Sequence, residues 1–334
     1  MKPSRNSMGS ADTSAARAPS FEDIRAAATH IAPYVRRTPM IAGSQLHDHS
    51  AITGNLKLKL ECLQVVGSFK PRGAVNKLLS LPDRTNVRGL ITASGGNHGL
   101  GVAYAARVAG VPAKIYLPTT TPAAKIQKLR TWGADTIVEG DSWDESNRVA
   151  LAAAERDGLT YIHAFADPAV IAGQGTVGLE IMEDAPETDT ILVAIGGGGL
   201  ISGIAIAAKA LKPGIRIVGV EPEGAATLHR SIGAGRIVAL DQIATAAVTL
   251  GAQVTEQLNF DLIRRHVAPE IVLVSDDEMR RAAQWLWFEF GVAAELSGAA
   301  AVAALLAGRY RPGNHEAVCA LVCGAGADGI LSVK

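Results

Sequence analysis

Charge of one sign is the plainest absence in this sequence: 32 basic side chains are matched by 32 acidic ones. A nucleic-acid binder ordinarily carries a basic excess with which to displace counterions from phosphates, so no nucleic-acid partner is expected. The same neutrality, joined to 48% apolar residues, excludes a disordered chain. Aromatics are scarce, at 4%. The interior must therefore be built from Ala, Gly, Val, Ile and Leu, which suits helices packed closely on a parallel sheet buried on both faces. The three cysteines, Cys62, Cys319 and Cys323, form no CxxC pair and no even disulfide set, which points to a reducing cytoplasm. No long uninterrupted apolar run is present. The stretch from Ile191 to Ala208 comes closest, but Gly196, Gly197, Gly198 and Gly199 break it, so it reads as strand, loop and helix and no membrane span is expected. The opening segment, Met1 to Ser20, is rich in Ser and Ala and lacks the apolar core of a signal peptide; a disordered tail is expected over residues 1–20.

What is present is a rhythm. From Arg88 onward β-branched runs alternate with helical patterns: GLITA, a helix from Leu100 to Ala109, AKIYL, a helix from Pro122 to Trp132, then DTIVE. The alternation resumes with ILVAI, a helix after Gly199, IRIVGVEP, EIVLVS, a helix from Asp276 and a last buried strand, AVCALVCG. Crossovers of this length give parallel strands. Ahead of them LKLKLE alternates with period two and predicts a half-exposed strand. The length leaves room for two lobes with a cleft between them. No linker or internal repeat marks a boundary, so the chain is expected to pass between the lobes more than once.

Three loops carry chemistry. In GSFKPRGA, Gly67 to Ala74, Pro71 fits the first turn of a helix and sets Lys70 at its start. The positive end of the helix dipole disfavours an ammonium there, Arg72 adds a second positive charge, and no Asp or Glu occurs between Glu61 and Asp83. Lys70 should lose its proton readily, as Schiff-base chemistry requires; the bland alternative is a solvated surface lysine. In TASGGNHGLG, Thr92 to Gly101, small residues open a helix, where N–H groups suit a carboxylate or phosphate and Asn97 and His98 either meet that ligand or merely cap the helix. The third loop, Gly196 to Leu200, matches neither a P-loop nor a dinucleotide fingerprint, because no lysine stands between the loop and Lys209 and the glycine offsets fail. It is either a backbone nest for one phosphate monoester or a tight packing turn. Cys323, at the end of the last strand, is either a buried structural thiol or part of a strand-end site.

Taken together, GSFKPRGA, SGGNHG, AGQGT at Ala172 to Thr176, GGGGLISG and CGAGAD occur in the order and spacing of the fold-type II pyridoxal-phosphate enzymes. From about Phe21 to Lys334 the chain resembles their threonine/serine dehydratase and serine racemase branch. The resemblance implies an α/β fold of two lobes, each with a mostly parallel open sheet flanked by helices. Residues 21–88 and 166–334 would form a large cofactor-binding lobe, and residues 89–165 a small one. It implies pyridoxal 5'-phosphate held by Lys70, with Phe69 against its ring, Asn97 on its phenolic oxygen, and Gly196, Gly197, Gly198, Gly199 and Leu200 around its phosphate. Cys323 would face the pyridine nitrogen, where most members have serine, and a neutral partner there favours elimination. Ser94, Gly95, Gly96, Asn97 and His98 would receive the carboxylate of a small amino-acid substrate. A homodimer or homotetramer is implied, and the aromatics Trp285, Trp287, Phe288 and Phe290 on one helix are expected to be shared between the core and a second subunit.

The implied reaction is loss of water from an L-β-hydroxy amino acid of the threonine or serine type, begun by α-proton removal by Lys70 and ending in a 2-oxo acid and ammonia. A dehydratase for 3-hydroxyaspartate or phenylserine, or serine racemase-like activity, is the alternative. Racemases of this kind carry a second serine in SSGNH; here Ser94 matches the first and Gly95 stands at the second, so little racemisation is expected. Glu221 matches the family's first metal ligand and Ala225 can offer a carbonyl, but Thr227 stands in the place of a second carboxylate, so a metal site is expected to be weak or absent. Glu295 begins ELSG where EPSG is commoner, a change expected to alter a turn without touching chemistry. The chain stops at CGAGADGILSVK, so feedback by isoleucine through a C-terminal domain is not expected. The competing class is a non-catalytic dinucleotide-binding protein, since ILVAIGGGGLISG through Val220 to Glu221 imitates a βαβ unit with a terminal acid.

Overall fold

The computed structural model describes residues 17–47, 55–267, 269 and 271–330, so most of the expected tail, residues 1–16, lies outside the described residues. In chain order the principal elements are α1 (Phe21–Ile31), β1 (Met40–Ala42), β2 (Asn55–Leu60), α2 (Lys70–Leu79), β3 (Leu90–Ala93), α3 (Asn97–Ala109), β4 (Ala113–Leu117), α4 (Ala123–Thr131), β5 (Ala134–Val138), α5 (Trp143–Asp157) and β6 (Thr160–Tyr161). They continue with α6 (Pro168–Asp184), β7 (Thr190–Ala194), α7 (Gly199–Leu211), β8 (Arg216–Pro222), α8 (Thr227–Ala234), α9 (Gln257–His266), β9 (Ile271–Val274), α10 (Asp276–Phe290), α11 (Leu296–Leu306) and β10 (Ala317–Val322). Local signals set several starts. Ser20 and Asp23 form a capping box on α1, so the end of the expected tail is already part of a helix cap, and Ser275 with Glu278 does the same for α10.

Two sheets result. Six strands run in the order β1-β2-β10-β7-β8-β9, with only β1 antiparallel, and four parallel strands run β5-β4-β3-β6. Every residue of β3 and of β7 is buried, the pattern of strands covered by helices on both faces. All four strands of the smaller sheet fall within residues 90–161, and α2 adds Ala74, Val75 and Leu78 to that sheet's apolar cluster. Helix α6 packs on α1, α2 and α7. The AGQGT segment lies inside α6 and works by close approach. A Cβ on Gly173 would stand 2.7 Å from Gly73 Cα, and one on Gly203 would stand 2.6 Å from the Gly175 nitrogen. Among the described residues no helix is long and apolar enough to cross a membrane.

The sequence expectation fails at β2. LKLKLE is not half-exposed, because Lys59 is fully buried and its ammonium donates to Glu180 Oε2 at 2.6 Å and to the Thr38 carbonyl at 2.8 Å. Period two gave the strand correctly, but β2 lies between β1 and β10, and a paired lysine can occupy its second face.

Candidate active site

The carboxyl ends of β2, β3, β7 and β10 lead into the loops that carry the chemistry, as expected for open α/β sheets. Lys70 opens α2, with Pro71 in its first turn. Its Nζ donates to the carbonyl of Ala164 at 2.8 Å, and its pKa falls to about 8. The cause is desolvation, opposed by Cys323 and Glu295. Arg72 contributes nothing to this shift, contrary to expectation. Its guanidinium points away and is neutralised, bonding Glu61 through Nε (2.8 Å) and Nη2 (2.7 Å) and Glu180 through Nη1 (2.7 Å). The sequence interval between Glu61 and Asp83 hid these carboxylates, because both reach Arg72 from outside it.

Phe69 donates its N–H to the Cys323 carbonyl at 3.4 Å, which sets Lys70 beside the end of β10. Burial pushes the Cys323 thiol well above its ordinary range, helped by the nearby Glu295, and Sγ donates to the Ser297 carbonyl at 3.5 Å, so a neutral thiol faces the site. From the other sheet, Asn97 at the start of α3 donates through Nδ2 to Glu295 Oε1 at 2.7 Å. Thr249 Oγ1 donates to the same oxygen at 3.1 Å and also bonds Ser297 Oγ. Burial raises the Glu295 pKa. The sequence reading gave the glutamate at position 295 no role of its own, and these bonds give it one. The leucine after it is a turn matter, but the glutamate holds Asn97.

The loop from Gly196 to Gly199 is pressed against the segment that receives Lys70. Ideal Cβ atoms on Gly197 and Gly199 would stand 2.3 Å from the Phe165 ring and 2.5 Å from the Phe165 carbonyl. Gly198 has φ +95°, open only to glycine at low cost, and α7 starts immediately after it. The first N–H groups of α7, including that of Leu200, have no acceptor within their own helix and point into the loop. Close packing against Phe165 is therefore part of what this loop does, and it leaves the N–H groups at the start of α7 without side-chain caps.

Ser94 Oγ accepts from the Gly96 N–H at 3.3 Å, and Gly96 precedes α3 with no side-chain cap. A Cβ on Gly96 would lie 3.3 Å from Thr249 Cγ2, which brings this loop beside Asn97 and Glu295. His98 is buried, with Nε2 2.9 Å from the Ile162 carbonyl. Desolvation lowers its pKa to about 3 and that of His163 to about 4, so both rings flanking Lys70 are neutral at pH 7. The His98 ring is thus committed to the small sheet, and its main-chain N–H remains at the helix start.

Residues 31–324 match the family of pyridoxal-phosphate dependent enzymes. The chain belongs to that family. An L-threonine ammonia-lyase of Thermotoga maritima is 41% identical over 286 residues, covering 86% of this chain and 71% of the relative. Among solved structures, maize serine racemase aligns with TM-score 0.87 at 36% identity, covering 92% of this chain and 94% of that one. A threonine deaminase from T.th. aligns with TM-score 0.86 at 38% identity, covering 92% and 98%. The pyridoxal-phosphate enzyme identity and the fold of two mostly parallel α/β sheets agree with the sequence reading, and the non-catalytic dinucleotide alternative falls.

The residues of this pyridoxal-phosphate enzyme fit its cofactor. An amine poised near neutrality suits an aldehyde, an N–H-rich helix start suits a phosphate, and a neutral thiol suits a ring nitrogen. Glu221 belongs elsewhere. Both of its oxygens accept main-chain N–H groups of α8, from Leu228 at 2.9 Å and His229 at 2.8 Å, and burial raises its pKa to about 7. A carboxylate engaged in this way is not free for a ribose hydroxyl. Neighbouring Ala225 is buried, and Thr227 Oγ1 donates to the Ala252 carbonyl.

Sequence reasoning missed Glu295, Thr249, Ala164 and Phe165. An aromatic residue so near His163, in a chain with so few aromatics, was the one available signal for Phe165.

Proposed function

We propose that this enzyme is an ammonia-lyase that removes water from an L-β-hydroxy amino acid of the threonine or serine type, leaving a 2-oxo acid and ammonia. The observation that carries the reading is Lys70, a desolvated amine with pKa about 8 at a strand-end site, in a chain similar to a threonine ammonia-lyase and a threonine deaminase. When bound, the cofactor supplies an electron sink for charge developing at the substrate α-carbon. Lys70 would anchor it and would take the substrate α-proton at Nζ. Phe69 would lie along its ring, Asn97 would orient its phenolic oxygen, and Gly196, Gly197, Gly198, Gly199 and Leu200 would bind its phosphate through main-chain N–H groups. Cys323, kept neutral by burial, would face the ring nitrogen without charging it. The loop from Ser94 to His98 takes the substrate carboxylate at the start of α3.

The relatives named serine racemase support a second reading, racemisation, and Gly95 speaks against it because a glycine supplies no proton on the face opposite Lys70. We assign the large lobe to residues 21–88 and 166–334 and the small lobe to residues 89–165, with α2 packing on the small one. Trp287 and Phe288 on α10 are 51% and 69% exposed, which supports a homodimer or homotetramer joined there, whereas Trp285 and Phe290 pack against the core. Three free, buried cysteines suit the cytoplasm.

Purified enzyme supplied with pyridoxal phosphate should convert L-threonine to 2-oxobutyrate and L-serine to pyruvate, read by oxo-acid reduction and by ammonia release. L-3-hydroxyaspartate and L-phenylserine are to be assayed alongside. No oxo acid from any of the four would end this reading.

A further inference from the structure

Gly95 lies in the loop after β3, and another residue borders the position that a side chain there would take. A Cβ on Gly95 would lie 3.0 Å from Thr121 Cγ2 and 3.5 Å from both Thr121 Oγ1 and Leu117 Cδ2. Thr121 belongs to LPTTTP, the turn from β4 into α4, where its N–H donates to the Pro118 carbonyl at 2.9 Å and Pro122 precedes the helix. The other two threonines face elsewhere. Thr119 is tied to Gly140 through its N–H at 2.9 Å and to Asp141 Oδ1 through its hydroxyl at 3.1 Å, and Thr120 is exposed. Thr121 is half-buried, and among the described residues none bonds to its hydroxyl. A half-buried hydroxyl of this kind, with an apolar neighbour in Leu117, forms a wall with one donor and one methyl.

We infer that Thr121 is a specificity-determining residue: its hydroxyl donates to the carboxylate of the bound amino acid over Gly95, and its methyl limits the bulk of the substrate's β-substituent. The inference rests on the proposed role of the loop from Ser94 to His98 in carboxylate binding. Gly95 and Thr121 are coupled, because a Cβ at 95 would stand 3.0 Å from the Thr121 methyl, which would have to give by a few tenths of an ångström.

The test uses the cofactor-loaded enzyme and the variants Thr121→Val, which keeps the shape and removes the hydroxyl, and Thr121→Ser, which keeps the hydroxyl and removes the methyl. L-alanine, which has the carboxylate but no β-leaving group, is titrated through the change in cofactor absorbance, and KM and kcat are measured for L-serine, L-threonine and L-phenylserine. Thr121→Val should weaken L-alanine binding about tenfold or more, as expected for a lost bond to a charged group. It should raise KM more than it lowers kcat and leave the thermal midpoint unchanged. Thr121→Ser should hold L-alanine as the parent does and shift selectivity toward L-phenylserine. L-alanine affinity and selectivity within twofold of the parent in both variants would overturn the inference. A parent enzyme that turns over none of these substrates would overturn the functional reading instead, and the L-alanine titration would still decide the role of Thr121.

Discussion

Asn97 Nδ2 donates to Glu295 Oε1 at 2.7 Å, joining the first residue of α3 to the residue just before α11. The side chain proposed to orient the cofactor is thus fixed by the other half of the molecule, and Thr249 adds a second donor to the same oxygen.

Glu295→Ala removes the acceptor of two donors at once. Asn97 is half-buried and Thr249 is exposed with a second partner in Ser297, so water and Ser297 take up part of the lost bonding. The expected result is a fall in kcat of about tenfold or more with a small loss of thermal stability, whereas Glu295→Gln, which keeps an acceptor oxygen, should retain most activity. Steady-state kinetics on both variants checks this, and equal losses in the two would show that the charge matters rather than the acceptor.

Arg72→Met should destabilise the fold by about 3–5 kcal/mol, because it strands Glu61 and part of Glu180 as buried carboxylates without their guanidinium. Urea unfolding measures the loss. A shift below about 1 kcal/mol would show that Lys59 and water compensate.

The strands and the loops at their ends were legible in the sequence because β-branched runs and glycine clusters are local signals. GLITA, AKIYL and ILVAI became β3, β4 and β7, and the interrupted apolar stretch resolved into β7, loop and α7. Pairings across the chain were not legible. Glu61 and Glu180 reach Arg72 from opposite sides of it in sequence, and Glu295 meets Asn97 from far along the chain. That distance explains why the sequence gives the direction of the Lys70 pKa shift correctly but counts Arg72 among its causes and leaves out burial. Arg72 is the charge visible in the sequence, but burial supplies the shift, and no sequence window reports burial of one amine.

The pKa of Lys70 makes cofactor uptake pH-dependent. Its folded value, about 8, lies below the ordinary lysine value of 10.5, so the amine is mostly protonated below pH 8 and mostly neutral above it. The rate of cofactor incorporation into the cofactor-free chain should rise about tenfold per pH unit up to pH 8 and then level off. Stopped-flow absorbance between pH 6 and 10 follows it. A rate still climbing toward pH 10 would indicate an ordinary, solvated lysine.

The central claim is that Lys70 is the covalent anchor of the cofactor, and peptide mass mapping after borohydride reduction of the loaded enzyme tests it most directly. The account predicts that the reduced pyridoxyl-phosphate adduct sits on Lys70, and that Lys70→Ala yields a folded chain with no adduct and no turnover. An adduct at another lysine in the parent enzyme, or appreciable oxo-acid formation by Lys70→Ala, would contradict it.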